Sequence, residues 1–87
     1  MQVAGPISTQ ELLEQMAVEL EHAELFFGHG TDNAWDEACW LLETVMKRQG
    51  VTDMQLDTKL RPAQIQPVLA MLDERIATRK PLAYLLQ

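Results

Sequence analysis

Apolar residues recur at steps of three and four positions in three separate stretches, and this spacing restricts the fold more than any other feature. The stretches cover residues 12–27, 35–46 and 65–76. Residues at that spacing lie on one face of an α-helix, so each stretch predicts a helix with one buried face. The sequence contains no alternating run typical of a strand. The predicted fold class is therefore all-α, a small bundle of three main helices followed by a short apolar segment, "PLAYLLQ".

Local signals predict where these helices begin and end. Ser8 opens a Ser-x-x-Glu pattern, which is typical of a capped helix start, and the first helix is expected to end near Phe26. Gly50 follows two basic residues and marks the end of the second helix. Pro67 is unfavourable inside a helix, so the third helix either begins late, near Gln66, or bends at Pro67. Pro62 suits a first helical turn, which favours a start near Pro62 with a bend.

The length and composition indicate one small soluble domain. The chain has 87 residues and a single cysteine, so no internal disulfide can form and a reducing compartment is expected. No stretch approaches the roughly 20 apolar residues that cross a bilayer, and the first residues do not resemble a signal peptide. We therefore expect a cytoplasmic protein with no membrane partner.

Charge is distributed unevenly between the two halves. Residues 1–46 contain nine acidic residues and no lysine or arginine, whereas residues 47–87 contain seven bases and four acids. An acidic half repels nucleic-acid phosphates and attracts a basic partner. This favours a basic protein partner over nucleic acid, although an incidental asymmetry in a mildly acidic domain remains the alternative.

The stretch "LFFGHGTDNAWDEACWLL", residues 25–42, joins the first two helices and contains residue types that occur in catalytic and ligand-binding sites. Its Gly-His-Gly lacks the third glycine of a dinucleotide fingerprint and follows a helix rather than a strand. His29 with Asp32 or Asp36 does not match a known metal-ligand spacing. Cys39 with His29 could form a nucleophilic pair, but a cysteine on an apolar stripe is more often inert. We therefore predict no catalytic, cofactor-binding or metal-binding residue.

The same stretch is better explained as a shaped corner between two helices. Its glycines permit a tight turn, and one of three adjacent polar residues caps the second helix. Trp35 is predicted to be buried as an anchor of that helix, and Phe26 and Phe27 must point in different directions. The predicted structural residues of the corner are Phe27, Gly28, Gly30, Thr31, Asp32, Asn33 and Trp35.

Two segments carry a resemblance to a known family. "LFFGHGTDNAWDEA", residues 25–38, and "ERIATRKPLAYLLQ", residues 74–87, resemble the N-terminal part of the HemK-type glutamine methyltransferases. The first segment is most similar to the branch that methylates a glutamine side chain on a ribosomal protein of the large subunit. The sister branch, which acts on release factors, usually has glycine where this chain has Gln87. The resemblance covers nearly the whole chain and is weakest over residues 49–66.

The resemblance implies a two-domain enzyme in which each domain has a separate function. Enzymes of this family join a helical N-terminal domain to a Rossmann-like methyltransferase domain that binds S-adenosylmethionine. Residues 1–87 are thus expected to form the N-terminal substrate-recognition domain, with the methyltransferase domain beyond residue 87. By itself this part is expected to hold no cofactor and to have no catalytic activity. Its expected partners are a basic ribosomal protein substrate and its own C-terminal methyltransferase domain.

Four residues of the corner are predicted to be exposed docking contacts for the substrate or the second domain. They are Phe26, His29, Asp36 and Glu37. The alternatives to this function are a free-standing helical adaptor, the same domain of a release-factor glutamine methyltransferase, and a small enzyme using His29 and Cys39.

Overall fold

The computed structural model describes residues 1–25 and 33–87, and it confirms the all-α prediction. Two long helices follow each other and pack together, a third packs against the second, and a single helical turn follows it. The helices are α1 (Thr9–His22), α2 (Ala34–Arg48), α3 (Pro62–Thr78) and α4 (Leu82–Leu85), and a small ribbon pairs β1 (Ile7–Ser8) with β2 (Lys59–Leu60).

The antiparallel ribbon was not predicted from the sequence. Ile7 pairs with Leu60 and Ser8 with Lys59, so each strand has only two residues. Two residues cannot show an alternating pattern, which is why no strand signal was visible. The ribbon ties the segment before α1 to the segment before α3.

The start of α1 is capped from two directions. The Ser8 Oγ accepts a hydrogen bond from the Glu11 amide at 3.1 Å, as the capping pattern predicted. The amides of Thr9 and Gln10 donate to the carbonyls of Thr58 and Leu56, both at 2.9 Å. The loop before β2 therefore satisfies two amides that the helix itself cannot.

The first helix ends earlier than predicted. It ends at His22 rather than near Phe26, and Glu24 takes a left-handed conformation with φ of 52°. A left-handed residue of this kind commonly terminates a helix. The predicted start of α3 and end of α2 agree with the structure. Helix α3 begins at Pro62, and Gly50, with φ of 83°, follows the end of α2.

The core lies where α2 packs against α1 and α3. Its fully buried side chains include Leu12, Leu41 and Leu72, one from each long helix. On α3 the buried row continues from Leu72 to Arg75, and Ile76, which was predicted to extend the apolar stripe, is only half buried. None of the helices in residues 1–25 and 33–87 combines the length and the hydrophobicity that spanning a bilayer requires.

Candidate protein-docking site

Asn33 caps α2 and holds Asp36 at the surface. The Asn33 Oδ1 accepts a hydrogen bond from the Asp36 amide at 2.8 Å, and the Asn33 Nδ2 donates to the Asp36 Oδ2 at 3.2 Å. Of the three residues predicted as possible caps, Asn33 therefore does cap the helix. The Asp36 side chain is exposed, as expected for a docking contact, and its role in docking stays a prediction.

The prediction that Glu37 is an exposed contact is wrong. Glu37 is 2% exposed and accepts hydrogen bonds from Arg75 Nε at 2.9 Å and Arg75 Nη2 at 3.2 Å. Arg75 is equally buried, and its Nη1 donates to the Lys80 carbonyl at 3.0 Å. This bidentate pair joins α2 to α3 and to the segment that leads into α4.

The helical spacing of the sequence does contain a signal for this pair. Glu37 lies four positions before Leu41 and eight before Val45, both buried, so it belongs to the core face of α2. Arg75 likewise follows Leu72 by three positions on the core face of α3. Two opposite charges on facing apolar stripes predict a buried ion pair, because neither could be buried alone.

The prediction that Trp35 is a core anchor is also wrong. Trp35 is 41% exposed, because its neighbour Ala34 takes the buried position at the start of α2. It lines a groove that is also lined by Leu56, which is 54% exposed. We call this the Trp35 groove, and its lining residues are Thr9, Leu13, Trp35, Cys39, Leu42, Glu43, Met54, Gln55 and Leu56.

Cys39 lies in this groove and is not activated as a nucleophile. Burial, and then the negative charges of Glu43 and Asp36, raise the pKa of the Cys39 thiol above its ordinary value. A thiol with a raised pKa stays protonated at neutral pH and is a poor nucleophile. This disfavours the alternative of a small enzyme that uses Cys39 with His29.

Seven of the predicted residues lie outside the described ranges. They are Phe26, Phe27, Gly28, His29, Gly30, Thr31 and Asp32. Their predicted roles, two as docking contacts and five as structural residues of the corner, stay predictions. Among the residues that the structure describes, no group of three or more histidine, cysteine or carboxylate side chains could hold a metal ion.

The surface of α1 and of the first part of α2 is strongly acidic. Apart from Glu37, every described acidic residue of residues 1–46 is exposed. These exposed carboxylates are Glu11, Glu14, Glu19, Glu21, Glu24, Asp36 and Glu43. Residues 1–25 and 33–87 thus form a small, mainly helical domain with an acidic surface and an apolar groove.

Comparison with known proteins connects this helical domain to a group of enzymes. The chain is 38% identical over 90% of its length to the ribosomal protein uL3 glutamine methyltransferase of Burkholderia pseudomallei, and 40% identical over 97% to that of Neisseria meningitidis serogroup B. It is 36% identical over 87% to the Bordetella pertussis enzyme of the same name. These matches confirm the resemblance to the ribosomal-protein branch of the glutamine methyltransferases, of which this chain is a homologue.

The chain spans only 26% to 28% of the length of these three relatives. Its similarity is therefore to about a quarter of each enzyme, which is consistent with an N-terminal domain. No family model matches the chain. No solved structure matches it either.

Proposed function

We propose that this chain is the N-terminal substrate-recognition domain of an S-adenosylmethionine-dependent methyltransferase that modifies a glutamine of ribosomal protein uL3. The observation that carries the proposal is its identity of 36% to 40%, over 87% to 97% of the chain, to enzymes with that name. In this proposal, cofactor binding and methyl transfer are carried out by the rest of the enzyme, outside the region that is similar to this chain.

The acidic surface supports a recognition role. A ribosomal protein is expected to be basic, and exposed carboxylates on α1 and α2 would attract it over distances comparable with the Debye length. Such attraction mainly raises the rate of encounter and orients the partner, rather than supplying most of the affinity. The domain would thus present the substrate to a catalytic centre located elsewhere.

Two arginines hold the C-terminal segment firmly against the bundle. Arg75 donates to the Lys80 carbonyl at 3.0 Å, and Arg48 Nη2 donates to the Leu86 carbonyl at 2.6 Å. Between these two points, Leu82 is 1% exposed and packs into the core. A second domain attached through this segment would have a defined orientation relative to the helices, as a recognition domain requires.

A chimera tests this function. The matching region of the Neisseria meningitidis enzyme is replaced by this chain, and transfer of a labelled methyl group to purified uL3 is measured. We expect kcat to stay close to that of the parent enzyme and KM for uL3 to rise only a few-fold. Deletion of the region should instead raise KM steeply, because a substrate-binding surface is lost.

A second chimera, with Glu14 and Glu19 changed to glutamine, tests whether the acidic surface contributes to substrate binding. Both side chains are exposed, so the fold should survive, and KM should rise most clearly at low salt. If the unmodified chimera methylates uL3 no better than the deleted enzyme, although it binds S-adenosylmethionine and is folded, the proposed function is wrong.

A further inference from the structure

The Trp35 groove is an apolar surface that the fold leaves open. Its volume is about 340 Å³, which is enough to accept a large side chain of a partner. Trp35 and Leu56 line it with 41% and 54% of their surfaces exposed, while Leu13 and Leu42 form buried parts of its lining. Exposed large apolar side chains gathered around one depression are typical of binding sites.

Hydrogen bonds hold the Leu56 side of the groove in place. The Leu56 carbonyl accepts from the Gln10 amide at 2.9 Å, and the Thr58 carbonyl accepts from the Thr9 amide at 2.9 Å. The Thr58 Oγ1 also accepts from the Gln55 amide at 2.9 Å. The groove is therefore formed before any partner arrives, which lowers the entropic cost of binding.

Negative charge surrounds the groove on the α2 side. Glu43 lines it, and Asp36 and Glu43 lie three positions before and four positions after Cys39 on α2, so all three share one face of the helix. Lys47 lies one turn beyond Glu43, lines a neighbouring depression and does not line the groove. An apolar side chain entering the groove is therefore favoured when its own neighbours in sequence are basic.

We infer that the Trp35 groove binds a basic segment of the protein substrate, which inserts one apolar side chain between Trp35 and Leu56. Lysine or arginine residues beside that side chain pair with Asp36 and Glu43. A second copy of this chain fits less well, because the chain carries a net charge of −6 and pairing two such grooves would bring carboxylates together. The inference rests on the proposed function and specifies where on the domain the substrate is held.

The experiment uses the two tryptophans as separate reporters. In the ¹⁵N-labelled chain, the indole N–H resonances of Trp35 and Trp40 are assigned with a Trp40→Phe variant, and purified uL3 is titrated in. We expect the Trp35 resonance to shift strongly and that of Trp40, which packs against the core, to shift little. This readout reports contact at the groove and does not depend on any change in stability.

Two charge-matched variants locate the binding surface. Leu56→Lys places a cation at the groove, and Val18→Lys places one on α1 at a side chain that is 48% exposed and does not line the groove. Leu56→Lys should weaken binding by roughly tenfold, as expected for a central interface residue, whereas Val18→Lys should change it much less. Both variants should keep the parent's unfolding midpoint, since both side chains are exposed.

Three other outcomes would overturn the inference. If the parent chain does not bind uL3, the inference falls together with the proposed function. If the parent binds while the two variants weaken binding equally, or while the Trp35 resonance does not move, the groove is not the site and the proposed function stands. If the Trp35 resonance shifts with chain concentration in the absence of uL3, the groove is covered by a second copy and the inference is overturned.

Discussion

Glu37 is a structural residue, unlike the exposed carboxylates around it. It is buried beside Arg75, and the two side chains make two charge-assisted hydrogen bonds at 2.9 and 3.2 Å. A buried pair of this kind contributes little net stability, but loss of one partner leaves the other charge uncompensated. The adjacent acidic residues therefore differ in role: Glu37 forms a buried ion pair, whereas Asp36 is exposed at the surface.

We expect Glu37→Gln to destabilise the domain by about 3 to 5 kcal/mol, because it leaves the buried Arg75 guanidinium without a counter-charge. Urea unfolding followed by circular dichroism measures this. The control is Asp36→Asn at the adjacent exposed position, which should cost less than about 1 kcal/mol. Equal effects of the two changes would show that the ion pair is unimportant for folding.

Trp35→Ala should cost less stability than a truncation in the core. Trp35 is 41% exposed, so we expect a loss of about 1 to 2 kcal/mol from the area that it still buries. Leu41 is fully buried on the same helix, and Leu41→Ala should cost about 2 to 5 kcal/mol. A lower urea midpoint for Trp35→Ala than for Leu41→Ala would contradict the exposed position of Trp35.

At the scale of the element, α2 depends on the cap at its first turn. Asn33 satisfies the Asp36 amide, and we expect Asn33→Ala to destabilise the domain by about 0.5 to 2 kcal/mol. Asn33→Ser should recover most of this, because a serine oxygen can accept the same hydrogen bond without adding charge beside Asp36. The free energies of unfolding of the two variants, from urea titration, make the comparison. Equal losses would mean that the side-chain cap does not support the helix.

At the scale of the whole molecule, residues 1–87 alone should not bind S-adenosylmethionine. The proposed function assigns the cofactor site to a separate Rossmann-like domain, where a glycine-rich turn after a strand contacts the nucleotide part of the cofactor. The only strands among the described residues are the two short strands of the ribbon, and neither is followed by such a turn. Isothermal titration calorimetry is the test, with the Neisseria meningitidis enzyme as positive control. One-site binding to the isolated chain would contradict the prediction.

Three long helices, the cap at Ser8 and the presence of a polar cap before α2 could be predicted from the sequence alone, and a start of α3 near Pro62 was the favoured of two alternatives. These features depend on interactions between residues a few positions apart, so the local sequence contains the information that predicts them. It also carried the resemblance to the glutamine methyltransferases, which the relatives confirm.

Which of two neighbouring residues faces the core depends on how the helices pack together. The apolar stripe of α2 is wider than one core face, so periodicity did not distinguish Ala34 from Trp35 as the buried residue. Glu37 is buried only because Arg75, 38 positions away, meets it from another helix. The ribbon likewise needs two segments that are remote in sequence. A local pattern records helical phase, but the packing of one helix against another determines which part of a wide stripe is covered and which part stays open as a groove.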